Sequence, residues 1–277
     1  MPLQSMVPML KKAQTEGYAV GLFNAHTLEG IMAILKAATE QRSPVIVAPV
    51  FLPRRAAVAL IRELAADLPV PVAIELDHGR DFGAVMECIR VGFTDVMIDA
   101  STRAYDENVA LTQKVVQASH AVGVGVEAEI GHVGRGEHYA DMDALRATLT
   151  RPEDAARFAA DTGVDLLAVA IGSAHGLFKG ELDLQRLRQI RAVVDVPLSL
   201  HGGSGLSNED FQAAIAGAGG ICKVNIYTNM ALAAVAAMRE SLADTTVNYM
   251  GAQRAIQEAI KEVVVHCMQA FGSVDRA

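Results

Sequence analysis

Eight short apolar runs, each followed by a stretch of helical periodicity, order this chain from end to end. The runs are Tyr18–Asn24, Pro44–Val50, Val70–His78, Asp95–Ser101, Gly123–Gly131, Leu166–Gly172, Val196–Gly203 and Ile221–Thr228. They are rich in β-branched residues and apolar on both faces, as strands of a parallel sheet covered by helices must be. Helix-like patterns lie between them at Leu28–Gln41, Arg54–Ala66, Phe82–Val91 and Glu107–His120. Parallel neighbours need a long crossover, usually a helix. Eight such units predict an α/β fold, a (β/α)8 TIM barrel in a single domain over residues 1–277. The length of 277 residues suits a fold that typically takes roughly 250. A doubly wound open sheet is the alternative, because strand count alone does not close a barrel.

The ends of the runs favour the barrel. Seven of the eight finish in or beside polar groups: Asn24, Asp77 with His78, Asp99, Glu127 with Glu129, His175, His201 and Asn225. In a barrel these C-terminal ends face one mouth, where catalysis occurs. The second run, ending Ala48-Pro49-Val50, contributes nothing polar. Past the eighth run, an alanine-rich segment at Met230–Met238 precedes a final helix expected over Tyr249–Phe271. The apolar stripe of that helix is Ala252, Ile256, Ile260, Val263, Val264 and Cys267. Either segment can pack on the barrel or at a subunit interface.

Charge and cysteines exclude other classes. The net charge of −8, with no Lys/Arg run, speaks against a nucleic-acid partner. Cys88, Cys222 and Cys267 fit neither a zinc finger nor a disulfide framework and read as buried small hydrophobes. There is no apolar stretch of the roughly 18 residues a membrane span needs, and no signal-peptide layout at the N-terminus. The expectation is a cytoplasmic protein with no membrane partner.

Three histidines carry the chemistry. His78, His175 and His201 each stand at or just past a strand end, and each is followed at once by glycine. One such histidine is as easily a core or surface residue. Three in the same local context can converge on a metal ion and leave a coordination position open, as in a catalytic zinc site. Asp77 precedes His78, and adjacent strand residues point to opposite faces; the strand must end or bend here, and Gly79 is expected to permit it. Asp77 can anchor an imidazole, transfer a proton to substrate, or merely cap the helix that starts near Asp81. Glu127 and Glu129 share one side of an apolar strand, which is costly unless they are paired or metal-bound. Glu137 follows a glycine-rich segment, Gly131 to Gly136, that can act as a hinge; a solvated Glu137 is the plainer reading. Gly202-Gly203-Ser204-Gly205 and the stretch to Thr228 occupy the places where barrels hold phosphate on backbone N–H groups and a helix N-terminus. Ser204 and Thr228 can add hydroxyls there, and Lys179 positive charge. His26, His132 and His138 sit in loops near the mouth; His120 and His266 fall in helical patterns.

The motifs Leu76-Asp77-His78-Gly79, Ile98-Asp99-Ala100-Ser101, Glu127-Ala128-Glu129-Ile130-Gly131, Gly172-Ser173-Ala174-His175-Gly176, His201-Gly202-Gly203-Ser204-Gly205 and Lys223-Val224-Asn225-Ile226 run in order along nearly the whole chain. Together they resemble the class II, zinc-dependent ketose-phosphate aldolases of the fructose- and tagatose-bisphosphate type. The resemblance implies that His78, His175 and His201 bind zinc. It implies that Asp77 moves the proton at the hydroxyl of the cleaved bond and that Glu137 moves the carbon-bound proton. Glu129 and Asp99 match positions of a second or alternative divalent metal site. Gly176, Gly202, Gly203, Ser204, Asn225, Ile226, Tyr227 and Thr228 match positions that hold dihydroxyacetone phosphate, near which relatives also hold Na+ or K+. Asn24 matches a substrate-contacting asparagine. A phosphorylated sugar as ligand and a homodimer or homotetramer are implied likewise.

The chain departs from the family in three places. Ala48 to Arg54 lacks the usual Ser/Gly-rich loop, Gly134-Arg135-Gly136-Glu137 is brief, and Asn229 stands where an acidic residue commonly follows the threonine. These put fructose 1,6-bisphosphate in doubt as substrate and bring other ketose 1-phosphates forward. Three competing readings remain at this level. They are a Schiff-base aldolase on Lys179 or Lys223, a zinc hydrolase, and a barrel that binds sugar phosphate without catalysis.

Overall fold

The computed structural model describes residues 3–134, 146–176, 181–216 and 220–277. Eight parallel strands form a closed barrel in sequence order. They are β1 (Val20–Ala25), β2 (Val45–Pro49), β3 (Val72–Gly79), β4 (Asp95–Ile98), β5 (Gly125–Ile130), β6 (Leu166–Val169), β7 (Leu198–Leu200) and β8 (Ile221–Ile226). Closure is explicit: Val20 to Phe23 of β1 pair with Lys223 to Ile226 of β8. The open-sheet alternative is thereby excluded.

The described helices are α1 (Met6–Glu16), α2 (Leu28–Gln41), α3 (Arg54–Ala65), α4 (Phe82–Val91), α5 (Tyr105–His120), α6 (Pro152–Thr162), α7 (Leu184–Arg191), α8 (Asn208–Ile215), α9 (Thr228–Ala243) and α10 (Tyr249–Ala270). Local chemistry sets their ends. Thr27 and Asp81 cap α2 and α4 by accepting from Gly30 N and Ala84 N. The cap of α4 is therefore Asp81, and Asp77 is released from that role. Ile260, Val264, Cys267 and Met268 of α10 are buried, and the helix packs on α2 and α9. No described helix is long and apolar enough to cross a membrane.

Helix α1 closes the barrel floor and was not anticipated from sequence. Its Met6, Met9, Leu10 and Ala13 pack against Val20, Leu22, Ile46, Ala73, Leu166 and Cys222. Asp95, wholly buried at the start of β4, fastens it. The Asp95 carboxyl accepts from Met6 N at 2.9 Å, Ser5 Oγ at 2.6 Å and Thr94 Oγ1 at 2.8 Å.

Burial pushes the Asp95 carboxyl up to about 6, although these three donors pull the other way. The folded chain thus holds the Asp95 proton more tightly than the unfolded chain, where an aspartate titrates near 4. The linked stability is fully present below about pH 4 and is lost as pH rises through about 6. Relative to Asp95→Asn, the unmutated protein should lose roughly 2–3 kcal/mol of unfolding free energy between about pH 4 and about pH 7. Urea denaturation of both proteins across that range checks this; a constant difference would rule it out.

Candidate active site

The predicted residues meet at the C-terminal mouth. A cleft of about 570 Å³ is lined by Asn24, Asp77, His78, Asp99, His132, Val133, Gly134, His175, Gly176, Gly202, Ser204, Asn225, Tyr227 and Thr228. Gly203 and Ile226, expected beside the phosphate, do not line it. Ile226 is buried in the core, and Gly203 lies so close to β8 that a Cβ would stand 2.7 Å from Val224 Cγ1. Glu137 and Lys179 lie outside the described residues.

The bend after Asp77 is made by His78 itself. His78 has φ 49°, in the left-handed region, and the β3–β4 register shifts between Leu76 and Gly79. Such a conformation strains a side-chain-bearing residue, and here it lets Asp77 and His78 both line the mouth. Gly79 serves otherwise than expected: its φ is ordinary, and a Cβ there would meet Met97 O at 2.3 Å. Close approach to β4 therefore requires the glycine. Gly202 does the same for the β6 and β7 ends. A Cβ on it would sit 2.6 Å from the Ala174 carbonyl, so the loops carrying His175 and His201 can touch.

The three imidazoles cluster tightly. One nitrogen from each of His78, His175 and His201 lies within 4.8 Å of the others, and His78 Nε2 is 3.0 Å from His201 Nδ1. Nitrogens around a tetrahedral zinc stand about 3.3 Å apart at ordinary Zn–N lengths, so the set fits a zinc ion. Carboxylates stand behind the rings. His78 Nδ1 contacts Asp99 Oδ2 at 2.7 Å, and His201 Nε2 contacts Glu127 Oε1 at 2.8 Å. Burial pulls His78 down, but Asp77, Asp99 and Glu129 outweigh it and lift the ring to about 10. Burial and the charges of His78 and His201 hold His175 at about 3. The same carboxylates that draw a proton to this cluster favour a metal cation there.

Asp99 and Glu129 form a second potential ligand group with His78. Asp99 is already engaged: Oδ1 accepts from Ser101 N and Oγ, Oδ2 faces His78, and its carboxyl is held well below the usual range, burial being outweighed by His78 and Ser101. In this geometry it orients His78. Glu129 is buried; Oε1 accepts from Val133 N at 2.9 Å, and Oε2 has no hydrogen-bond partner among the described residues. Ser101 Oγ also contacts His132 Nδ1 at 2.8 Å, which ties the loop after β5 to this cluster.

Asp77 sits opposite the amides. Its Oδ2 accepts from Asn24 Nδ2 at 2.8 Å and its Oδ1 from Asn225 Nδ2 at 3.0 Å. Burial would raise its carboxyl, but His78, His201 and Lys223 keep it below the ordinary value and ionised. On the far wall, Ser204 Oγ accepts from Tyr227 N at 3.3 Å and Thr228 N at 3.0 Å, capping α9 from a neighbouring loop. Those two amides, expected to face phosphate, are thus taken by Ser204, whose own hydroxyl proton remains to donate into the cleft.

Sequence reasoning missed one layer below the histidines. Glu75, Glu127, Ser199 and Lys223 are all fully buried inside the barrel. Lys223 Nζ lies 2.7 Å from Glu75 Oε2 and binds Glu127 Oε2. Burial would depress Lys223, yet Glu127 and Glu75 raise it above its usual range. Burial would raise Glu127, yet Lys223 and His201 hold it low. Burial carries Glu75 well above the carboxylate range despite Lys223. Period-two spacing from Glu75 to Asp77 and from Glu127 to Glu129 was the signal available for this layer.

Known proteins resemble this chain in sequence and in architecture. The family model for class II fructose-bisphosphate aldolases matches residues 4–276. A fructose-bisphosphate aldolase of Thermus caldophilus is 41% identical, over 97% of this chain and 98% of that one. A probable fructose-bisphosphate aldolase of Bacillus subtilis is 41% identical over the full length of both. The crystal structure of the YdjI aldolase from Escherichia coli K12 superposes with a TM-score of 0.88, at 32% identity and 99% coverage of each chain. The chain therefore belongs to the class II fructose-bisphosphate aldolase family and is a carbon–carbon lyase, an aldolase that cleaves a ketose phosphate.

Proposed function

We propose that the protein is a zinc-dependent aldolase that reversibly splits a ketose 1-phosphate into dihydroxyacetone phosphate and an aldehyde. The observation that carries this reading is the convergence of His78, His175 and His201 beside an ionised Asp77, with Asp77, His78 and His175 lining one cleft and His201 buried against His78. Zinc held by the three imidazoles supplies Lewis-acid stabilisation of the charge left on the ketone fragment. Asp77, steadied by Asn24 and Asn225, takes the proton from the hydroxyl of the breaking bond. The Ser204 hydroxyl and the residues around Gly202 and Thr228 hold the phosphate away from the reacting carbon, which orients it. Glu137 is assigned the carbon-bound proton on resemblance, and Lys179 a supporting charge on its place three residues after Gly176.

A Schiff base on Lys223 is opposed by the state of that residue; Lys179, the other candidate, lies outside the described residues. The Lys223 ammonium is buried, protonated and ion-paired, so it offers no lone pair to a carbonyl. The reading also carries a cytoplasmic homodimer or homotetramer. Leu232, Val235, Met238, Leu242 and Tyr249 stand exposed along α9 and the start of α10, an apolar surface that assembly would bury.

Deuterium exchange into dihydroxyacetone phosphate, followed by NMR in heavy water, tests the half-reaction without knowledge of the aldehyde. Exchange at C3 should require zinc and vanish after chelation. Folded, zinc-loaded protein that exchanges nothing would refute the donor assignment. Asp77→Ala should retain zinc and lose carbon–carbon cleavage by roughly 100-fold or more, the scale of a lost general base; near-normal cleavage would refute its role. Borohydride added with dihydroxyacetone phosphate should leave the protein mass unchanged, and a trapped adduct would revive the Schiff-base mechanism.

A further inference from the structure

His201 has two ring nitrogens and two different neighbours. Its Nδ1 faces His78 Nε2 at 3.0 Å, inside the imidazole cluster. Its Nε2 faces Glu127 Oε1 at 2.8 Å, in a pocket where both side chains are fully buried. An ionised carboxylate only accepts, so the proton of a neutral His201 must sit on Nε2. Nδ1 is then left with a lone pair directed at His78 and His175.

Glu127 has no freedom to do otherwise. Its Oε1 also accepts from Ser199 Oγ at 2.6 Å, and its Oε2 is bound by Lys223. Lys223 is anchored on its other side by Glu75, 2.7 Å away. The four groups come from β3, β5, β7 and β8, so the closed barrel itself holds Glu127 in place.

We infer that Glu127, clamped by Lys223 and Ser199, is the positioning residue that fixes His201 as the Nε2–H tautomer and presents Nδ1 to the metal. It touches neither metal nor substrate. The inference rests on the zinc reading above only for the identity of the cation; the tautomer follows from contacts within the chain. A carboxylate–histidine–metal chain of this kind usually tunes affinity by about 10- to 100-fold.

The clamp also dictates which substitution is informative. In Glu127→Gln, Lys223 demands the amide oxygen on its side. The amide NH2 is then turned toward His201 Nε2, which must accept, and the proton moves to Nδ1, the atom the metal needs. Replacing the lysine as well, in Glu127→Gln with Lys223→Met, removes that demand and lets the amide oxygen turn back to His201.

The test is zinc affinity by chelator competition, with ring nitrogen shifts of His201 read by 15N NMR in the metal-free protein at mildly alkaline pH. The expected results are an Nε2–H tautomer in the unmutated protein and an Nδ1–H tautomer in Glu127→Gln. Zinc binding should weaken about 10- to 100-fold in the single variant and recover most of that loss in the double variant. A purely structural role for Glu127 would move thermal stability without this recovery. An Nδ1–H tautomer in the unmutated protein would overturn the inference. So would a single variant that binds zinc as tightly as the unmutated protein, or a double variant no tighter than the single. If the unmutated protein binds no zinc, the metal reading falls separately, and the His201 tautomer still decides the role of Glu127.

Discussion

The structure depends on an ionic contact in a place that disfavours ions. Lys223 and Glu127 meet with no exposure at all, inside a barrel whose remaining interior is largely apolar. Moving each charge out of water costs several kcal/mol, and mutual attraction offsets this only when geometry is good and the remaining sites are satisfied. Both conditions are met on the Glu127 side, where Ser199 and His201 occupy Oε1. Glu75 follows a different course: burial carries it well above the carboxylate range, so it holds a proton more readily than Glu127 does. Strands β3, β5, β7 and β8 are linked through side chains as well as through the sheet, and the histidines rest on that link.

Above this layer the mouth divides its tasks. The ends of β3, β6 and β7 bring the imidazoles, and β4 and β5 bring the carboxylates that orient them. The β7 and β8 loops bring Ser204 to the start of α9. Asp77 lies between the two sides, held by amides from β1 and β8. A substrate with one end at Ser204 and its reacting carbon near the imidazoles thus has Asp77 beside the bond to be broken. Proximity of this kind is worth more to an aldol cleavage than any single proton donor.

Much of the architecture was legible because it is local. The helices Leu28–Gln41 and Phe82–Val91 begin at capped residues and have the bounds their periodicity predicts. The strands run shorter than their apolar runs. Val196–Gly203 reads as one strand, but only Leu198–Leu200 pairs in the ladder, because apolarity persists past the last hydrogen bond. The histidine ends were legible as a repeated pattern of apolar run, histidine and glycine. What the sequence did not disclose depends on distant partners. His78 turns left-handed because the cluster it joins rewards that turn, and Gly79 only accommodates the neighbouring strand. Helix α1 owes its place to Asp95, roughly ninety residues along the chain.

Glu127 and Glu129 illustrate the limit most sharply. They are two residues apart, on one face of one strand, and spacing alone gives them the same status. Two residues of strand are a depth difference of about 6.6 Å, and that difference decides what each can do. At the lower level every oxygen of Glu127 is taken by a fixed donor: Ser199, Lys223 and His201. A carboxylate so completely satisfied cannot bind a passing ligand without breaking the barrel interior, so its effect must be exerted through a neighbour. At the upper level Glu129 keeps one buried oxygen with no hydrogen-bond partner among the described residues. A buried acceptor left open is costly and persists where something else completes it. The deeper carboxylate therefore acts through its neighbours, while the shallower one can, with His78 and Asp99, offer an oxygen to a cation.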